Sequence, residues 1–95
     1  MSEDRKALRL TNEGRVQGVG FRAWMVEVAT AAGVDGWVRN RRDGTVEALV
    51  AGEPAAVERV LAKARRGPPM GRVTRVVDEP ADDVAGPGFD AVATV

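Results

Sequence analysis

The segment GWVRNRRDGTVEALVAG, residues 36–52, decides the fold because it holds two candidate strands joined by a tight turn. GWVRN, from Gly36 to Asn40, favours a strand. Asp43-Gly44, within RRDG, is one of the strongest short-range signals for a hairpin turn. TVEALVAG, from Thr45 to Gly52, then forms the return strand of an antiparallel pair.

A helix is predicted upstream of this hairpin. Apolar side chains recur there with a helical period, at i, i+4, i+7, i+8 and i+11. They are Phe21, Met25, Val28, Ala29 and Ala32. Gly33 follows, where a helix C-terminus favours a residue in the left-handed conformation. Before this helix, residues 5–13 hold a short first strand with its apolar content from Ala7 to Leu10. GRVQGVGFR, residues 14–22, joins the two.

A second helix is predicted downstream. Glu53 and Pro54 open it, since proline is accepted in the first helical turn. Its apolar stripe, at i, i+3, i+4 and i+7, consists of Val57, Val60, Leu61 and Ala64. GPPMG, residues 67–71, cannot continue a helix, and Arg72 to Asp78 follows as another strand. PADDVAGPG, residues 80–88, is loop-like, and GFDAVATV, residues 88–95, predicts a weak final strand.

The resulting order, β-α-β-β-α-β, predicts an α+β chain with the ferredoxin-like βαββαβ sandwich: an antiparallel sheet with two helices on one face. We expect residues 1–95 to form a single domain. The first two strands run in the same direction, so the glycine-rich segment and Asn40 should lie at the same edge of the sheet. One strand should separate them, which places them about 9–10 Å apart. A small anion fits that gap.

The composition narrows the chemistry. Cysteine and histidine are absent, which excludes a thiol nucleophile, an imidazole base and the commonest metal ligands. No apolar run is long enough to cross a bilayer, and the charged N-terminus does not resemble a secretory signal, so we expect a cytoplasmic protein. Acidic and basic residues balance to no net charge. A basic run from Arg59 to Arg75 is interpreted as a solvated surface rather than a nucleic-acid site.

The glycine-rich segment is a candidate anion site. Glycines before a helix allow successive main-chain N–H groups to turn toward an anion, and the helix dipole adds a partial positive charge. Arg22, in the first helical turn, can grip a phosphoryl group through two parallel hydrogen bonds. Taken alone, such a segment is usually only a turn. Gly18 to Ala23 also matches a dinucleotide-binding pattern, which the strand order excludes, and no Walker loop is present.

GRVQGVGFR and GWVRNRRDGTVEALVAG together resemble the two signature segments of the acylphosphatase family, and GPPMGRV at residues 67–73 resembles a third. The resemblance runs from Gly14 to about Val73 and implies a ferredoxin-like fold, in agreement with the order above. The family's usual final strand has a phenylalanine followed by a branched residue two positions later. Here Phe89 precedes Ala91 and Ala93, which weakens the expected edge strand.

The resemblance implies a metal-independent acylphosphatase that hydrolyses small acyl phosphates to a carboxylate and inorganic phosphate, which also competes with the substrate. Main-chain amides of a loop and Arg22 would bind the phosphoryl group, and Asn40 would position the attacking water. No cofactor and no covalent intermediate are expected. The substrate-binding loop corresponds to Arg15, Val16, Gln17, Gly18, Val19, Gly20 and Phe21.

Several features retain a plainer explanation. Asn40 lies three residues before Asp43-Gly44 and by itself is as well explained by turn chemistry. The side chain of Gln17 is taken as part of the loop structure, and the arginines at 39, 41 and 42 as a solvated hairpin. Two alternatives use the same fold: a non-enzymatic module that senses anions or binds RNA, and the acylphosphatase-like module of larger carbamoyl-transfer maturation proteins. We expect a monomer with no nucleic-acid or membrane partner.

Overall fold

The computed structural model describes residues 5–82 and 86–95, and it contains five strands and two helices within them. The expectations for the N-terminal residues 1–4 and for residues 83–85 of the PADDVAGPG loop lie outside this part of the chain. Neither helix is both long enough and apolar enough to span a membrane. The elements are β1 (Lys6–Arg15), α1 (Phe21–Ala32), β2 (Asp35–Asn40), β3 (Val46–Gly52), α2 (Pro54–Arg66), β4 (Arg72–Pro80) and β5 (Phe89–Ala91).

The sheet has the order β4-β1-β3-β2-β5. The pairs β1–β3, β1–β4 and β2–β3 are antiparallel, which confirms the ferredoxin-like arrangement predicted for the first four strands. Strand β3 lies between β1 and β2, so the end of β1 and the end of β2 are separated by one strand, as expected. β5 adds an edge in parallel with β2, and the complete sheet is therefore mixed.

Strand β1 is longer than its apolar content indicates. It continues through Gly14 and Arg15, because β4 pairs with it across a register shift between Glu13 and Gly14. Gly14 has a φ of 119°, and a Cβ there would lie 2.2 Å from the carbonyl oxygen of Arg72. The close approach of the two strands therefore requires glycine. The loop before α1 is correspondingly shorter than the glycine-rich segment itself.

Both helices cover the same face of the sheet with the predicted stripes. All four stripe residues of α2 are buried, and in α1 Phe21, Met25 and Ala29 are buried while Val28 and Ala32 are partly covered. The sheet meets them with alternate residues, as the two-residue period of a strand requires. These core-facing strand residues include Leu8, Leu10, Val38, Val46, Ala48 and Val50. Burial of this apolar surface supplies the main driving force for folding.

The hairpin between β2 and β3 forms where Asp43-Gly44 predicts it. The N–H of Arg41 donates to the carbonyl oxygen of Thr45 at 2.9 Å, and Gly44 N–H donates to Arg41 O at 3.1 Å. Asp43 Oδ1 accepts from the main-chain N–H and the hydroxyl of Thr45, at 2.9 and 2.7 Å. Those two hydrogen bonds keep the pKa of Asp43 below its usual value. The turn fixes the end of β2, where Asn40 stands.

Candidate active site

The loop that precedes α1 depends on two glycines with left-handed backbone conformation. Gly18 has a φ of 75° and Gly20 a φ of 80°, and a Cβ at either position would meet no atom within 4 Å. A side chain would therefore fit in the available space at both positions. Glycine is favoured because the left-handed backbone conformation costs any other residue about 1–2 kcal/mol. Glycine permits the turn that directs this stretch of main chain into a helix N-terminus.

The N-terminus of α1 has no capping side chain. Gly20 occupies the N-cap position, and no acidic residue lies in the first turn. The first intrahelical hydrogen bond runs from Trp24 N–H to Gly20 O at 3.0 Å. The N–H groups that come before it lack intrahelical acceptors, as at every helix start. Together with the helix dipole, they make this end of α1 suited to an anion.

A cavity of about 300 Å³ opens directly at this helix end. It joins the loop, the first turn of α1 and the end of β2, which are distant in sequence. Its lining residues are Val16, Gly18, Gly20, Phe21, Arg22, Ala23, Asn40 and Ala91. The fold thus brings Arg22 and Asn40 into one cleft with the glycine loop.

Three residues of the predicted loop do not line the cleft. Arg15 is exposed at the end of β1, where it pairs with Arg72 of β4. Val19 is partly buried against the core. Gln17 turns its side chain toward the β2–β3 hairpin, where Nε2 donates to Arg41 O at 2.6 Å and to Thr45 O at 2.8 Å.

Two alanines that were not predicted as site residues, Ala23 and Ala91, also line the cleft. Ala23 follows Arg22 in the first turn of α1, so its position could have been found from the helix start. Ala91 belongs to β5 and reaches the cleft only through the pairing of that strand with β2. An alanine carries no polar group, and no sequence signal marks it. Both give the cleft small apolar walls.

Arg22 supplies the positive charge of the cleft. Its side chain is exposed and forms no ion pair with any residue that the structure describes. Phe21 beside it is 1% exposed and anchors the helix start in the core, with its ring 5.4 Å from that of Trp24 in an edge-to-face arrangement. The arginine therefore extends from a fixed first turn, and its guanidinium is available to a ligand.

The hairpin arginines belong to a different surface. Arg39 and Arg41 alternate with Asn40, so they project from the opposite face of the sheet. Glu47 there accepts from Arg39 Nε at 2.8 Å and from Arg41 Nη1 at 3.1 Å. Burial alone would raise the pKa of Glu47, but the hydrogen bonds and the positive charges of the two arginines together outweigh it and hold the pKa below the ordinary 4.5. Both guanidinium groups are thereby held by Glu47, away from the cleft.

A larger cavity, of about 540 Å³, lies at the C-terminal end of α2. Trp24 and Val28 form one wall, and Lys63, Arg66 and the 67–71 loop form the rest. It contains neither Arg22 nor Asn40. Size alone does not identify a site, and the polar groups that converge at the N-terminus of α1 favour the smaller cleft as the candidate. Within residues 5–82 and 86–95, no group of three or more carboxylates is placed to hold a metal ion.

Comparison with known proteins identifies the family and agrees with the fold. The acylphosphatase family model matches residues 8–91. An acylphosphatase of Acidiphilium cryptum (strain JF-5) is 56% identical over 88 residues, which make up 93% of this chain and 97% of that protein. The crystal structure of acylphosphatase from Bacillus subtilis has a TM-score of 0.85 at 34% identity, covering 90% of this chain and 97% of that one. An acylphosphatase structure from Coxiella burnetii has a TM-score of 0.90 at 27% identity, with 97% and 100% covered.

Proposed function

The chain belongs to the acylphosphatase family, and from that premise we propose that it hydrolyses the carboxyl–phosphate bond of small acyl phosphates. The products are a carboxylate and inorganic phosphate. The observation that carries the proposal is the single cleft in which Gly18, Gly20, Arg22 and Asn40 meet at the N-terminus of α1. It pairs anion donors with a neutral amide and includes no imidazole or thiol.

Phosphate binding falls to the main-chain amides of residues 15–21 and to Arg22. The N–H groups before Trp24 have no intrahelical acceptor, and a phosphoryl dianion can accept from them. The guanidinium of Arg22 adds two charge-assisted hydrogen bonds. A cation beside a helix N-terminus is mildly unfavourable when the site is empty, and the bound dianion reverses that penalty.

Asn40 orients the nucleophile. Its amide can hold a water molecule against the phosphorus atom from the side of β2, opposite the leaving carboxylate. The water oxygen bonds to phosphorus as the phosphorus–oxygen bond to the acyl group breaks. The released water proton passes to a phosphoryl oxygen, and the carboxylate leaves with the bonding electron pair.

This chemistry needs little beyond positioning and charge stabilisation. A carboxylate is a good leaving group, so no strong general acid is required. Phosphoryl transfer proceeds through a loose transition state whose charge lies on the equatorial oxygens, where main-chain amides and one arginine can stabilise it. We therefore propose a reaction without metal, cofactor or covalent intermediate.

The proposal extends to the whole chain. Both helices and the sheet share one core, which supports a single domain. We propose that this domain works as a monomer. We place it in the cytoplasm, with a small acyl phosphate as its partner and inorganic phosphate as product and competitor. Nucleic acid and membrane have no part in the reaction.

Phosphate release from benzoyl or acetyl phosphate in the presence of a chelator tests the proposal. We expect the parent to be active, and Arg22→Ala and Asn40→Ala each to lose about 10²- to 10³-fold in kcat, as removal of a preorganised donor does. Competition by inorganic phosphate should weaken with Arg22→Ala and persist with Asn40→Ala.

Arg59→Ala, an exposed arginine on α2, is the matched control and should keep the parent's activity. Activity that a chelator abolishes would contradict the mechanism. Full activity in Arg22→Ala or in Asn40→Ala would remove that residue from the assignment.

A further inference from the structure

The side chain of Gln17 links the loop of residues 15–21 to the β2–β3 hairpin. Because the proposed function assigns phosphate binding to this loop, we call it the phosphate loop. It is half-buried, and its Nε2 donates two short hydrogen bonds, to Arg41 O at 2.6 Å and to Thr45 O at 2.8 Å. An amide nitrogen has two protons to donate, and both are used here. Its chain neighbours, Val16 and Gly18, line the cleft. The loop therefore carries one side chain that is directed at the hairpin.

The two acceptors close the hairpin that carries Asn40. Arg41 O also accepts from Gly44 N–H, and Thr45 O also accepts from Arg41 N–H. Each carbonyl has two lone pairs, so Gln17 fills the second on each. Asn40 is the last residue of β2 and immediately precedes Arg41. A displacement of Arg41 and Thr45, which form the base of the hairpin, would therefore displace Asn40 as well.

We propose that Gln17 is a positioning residue that sets the distance between the phosphate loop and the Asn40 amide. The inference rests on the proposed function, in which Asn40 orients the water. Displacement of a reacting group by about 1 Å can lower the rate by a factor of about 10². A fixed link between the loop and the hairpin can therefore raise kcat by keeping Asn40 in place. The Gln17 side chain acts through Asn40 and not through contact with the substrate, whereas its main-chain N–H remains part of the loop that binds phosphate.

The loop itself has independent support. Val16 and Phe21, at its two ends, are each 1% exposed, and the left-handed glycines define the turn between them. β1 and β3 remain paired without Gln17, and Asn12 Nδ2 donates separately to Val46 O at 2.9 Å. Loss of the Gln17 amide should therefore leave the fold and the phosphate cradle in place while releasing the hairpin base.

Gln17→Met tests this role because methionine keeps the length of the side chain and donates no hydrogen bond. We expect kcat for benzoyl phosphate to fall about tenfold or more. The inhibition constant of inorganic phosphate should change less than threefold. A larger effect on phosphate inhibition than on kcat would make Gln17 a phosphate-loop residue and overturn the proposal.

A double-mutant cycle separates positioning from a general structural role. In the Asn40→Ala background there is no amide to position, so adding Gln17→Met should lower the residual kcat less than twofold. A merely structural residue would cost the same factor in both backgrounds, and that result would refute the inference. Thermal unfolding of each variant checks that the fold is kept.

Hydrogen exchange gives a readout that does not depend on catalysis. In Gln17→Met the amides of Arg41 and Gly44 should exchange about tenfold faster, while those in the middle of α1 keep the parent's rates. Unchanged exchange at the hairpin would disprove the link even if activity falls. If the parent itself releases no phosphate, the proposed function fails, and faster exchange would still establish the link.

Discussion

Two glycines, one at each end of α1, allow the energetic cost of the left-handed backbone conformation to be distinguished from an effect on ligand binding. Gly20 has φ 80° and ψ 18°, and Gly33 has φ 74° and ψ 24°. A Cβ would be unobstructed at both. Gly20→Ala and Gly33→Ala should therefore lower the free energy of unfolding by a similar amount, about 1–2 kcal/mol each, because alanine is disfavoured in this conformation.

The two variants should differ in phosphate binding. Gly20 lines the cleft and Gly33 does not. We expect Gly20→Ala to weaken competition by inorganic phosphate, whereas Gly33→Ala leaves it unchanged. Urea unfolding and inhibition assays measure the two effects. Equal inhibition constants in both variants would argue against a role for the Gly20 main chain.

The type of each residue determines whether its place in the candidate site could be predicted from the sequence. Gly18, Gly20, Arg22 and Asn40 could be chosen from the sequence because together they match the signature segments of a family, whereas a glycine turn, an arginine and an amide near a hairpin each have a plainer explanation when taken singly. The contacts of Gln17 could not, since an amide in a loop has many possible acceptors and only the folded chain brings Arg41 and Thr45 within reach. Ala91 gave no signal at all.

Strand β3 is buried on both of its faces, and Glu47 is the carboxylate within it. Burial raises the pKa of Glu47, and the hydrogen bonds and positive charges of Arg39 and Arg41 together lower it by more than burial raises it. A carboxyl whose folded pKa is depressed stabilises the fold above its unfolded pKa, near 4.5. That contribution disappears as the pH falls below 4.5 and through the folded pKa.

Glu47→Gln should therefore be less stable than the parent at about pH 7, and the difference should shrink below pH 4.5, because a protonated glutamate resembles glutamine. Urea unfolding across this range measures the difference. Glu27→Gln is the control: Glu27 is exposed on α1 and pairs with no cation in the described chain, so this substitution removes a carboxylate without removing an ion pair. A pH-independent difference for Glu47→Gln would contradict the assignment.

The helices were more predictable than the strand ends. Apolar stripes marked α1 and α2 because a 3.6-residue period depends only on the chain itself. The extension of β1 to Arg15 and of β4 to Pro80 depends on their mutual pairing, including the register shift beside Gly14. Such pairing is a property of two segments that are distant in sequence, and local pattern does not encode it.

The topology of the chain explains why the loop before α1 and the end of β2 form a common cleft. β1 and β2 run in the same direction on either side of β3, so the glycine-rich loop before α1 and Asn40 lie at the same edge of the sheet. The order of elements was enough to predict this juxtaposition. It was not enough to predict that β5 would pair in parallel with β2, because a three-residue strand with one buried side chain, Phe89, carries little pattern.

The last residues of the chain consequently run beside Asn40. Val95 N–H donates to Asn40 O at 3.2 Å, and Val95 O accepts from Arg42 N–H at 2.7 Å.

Val95→Pro removes only the N–H that donates to Asn40 O. A hydrogen bond is worth about 0.5–1.5 kcal/mol, so kcat should fall roughly 2- to 10-fold if this bond helps to hold Asn40. Val95→Ala keeps both main-chain bonds and should match the parent. Phosphate inhibition should be unchanged in both variants, since the loop is untouched. Equal kcat for Val95→Pro and Val95→Ala would show that the cleft positions Asn40 without this segment.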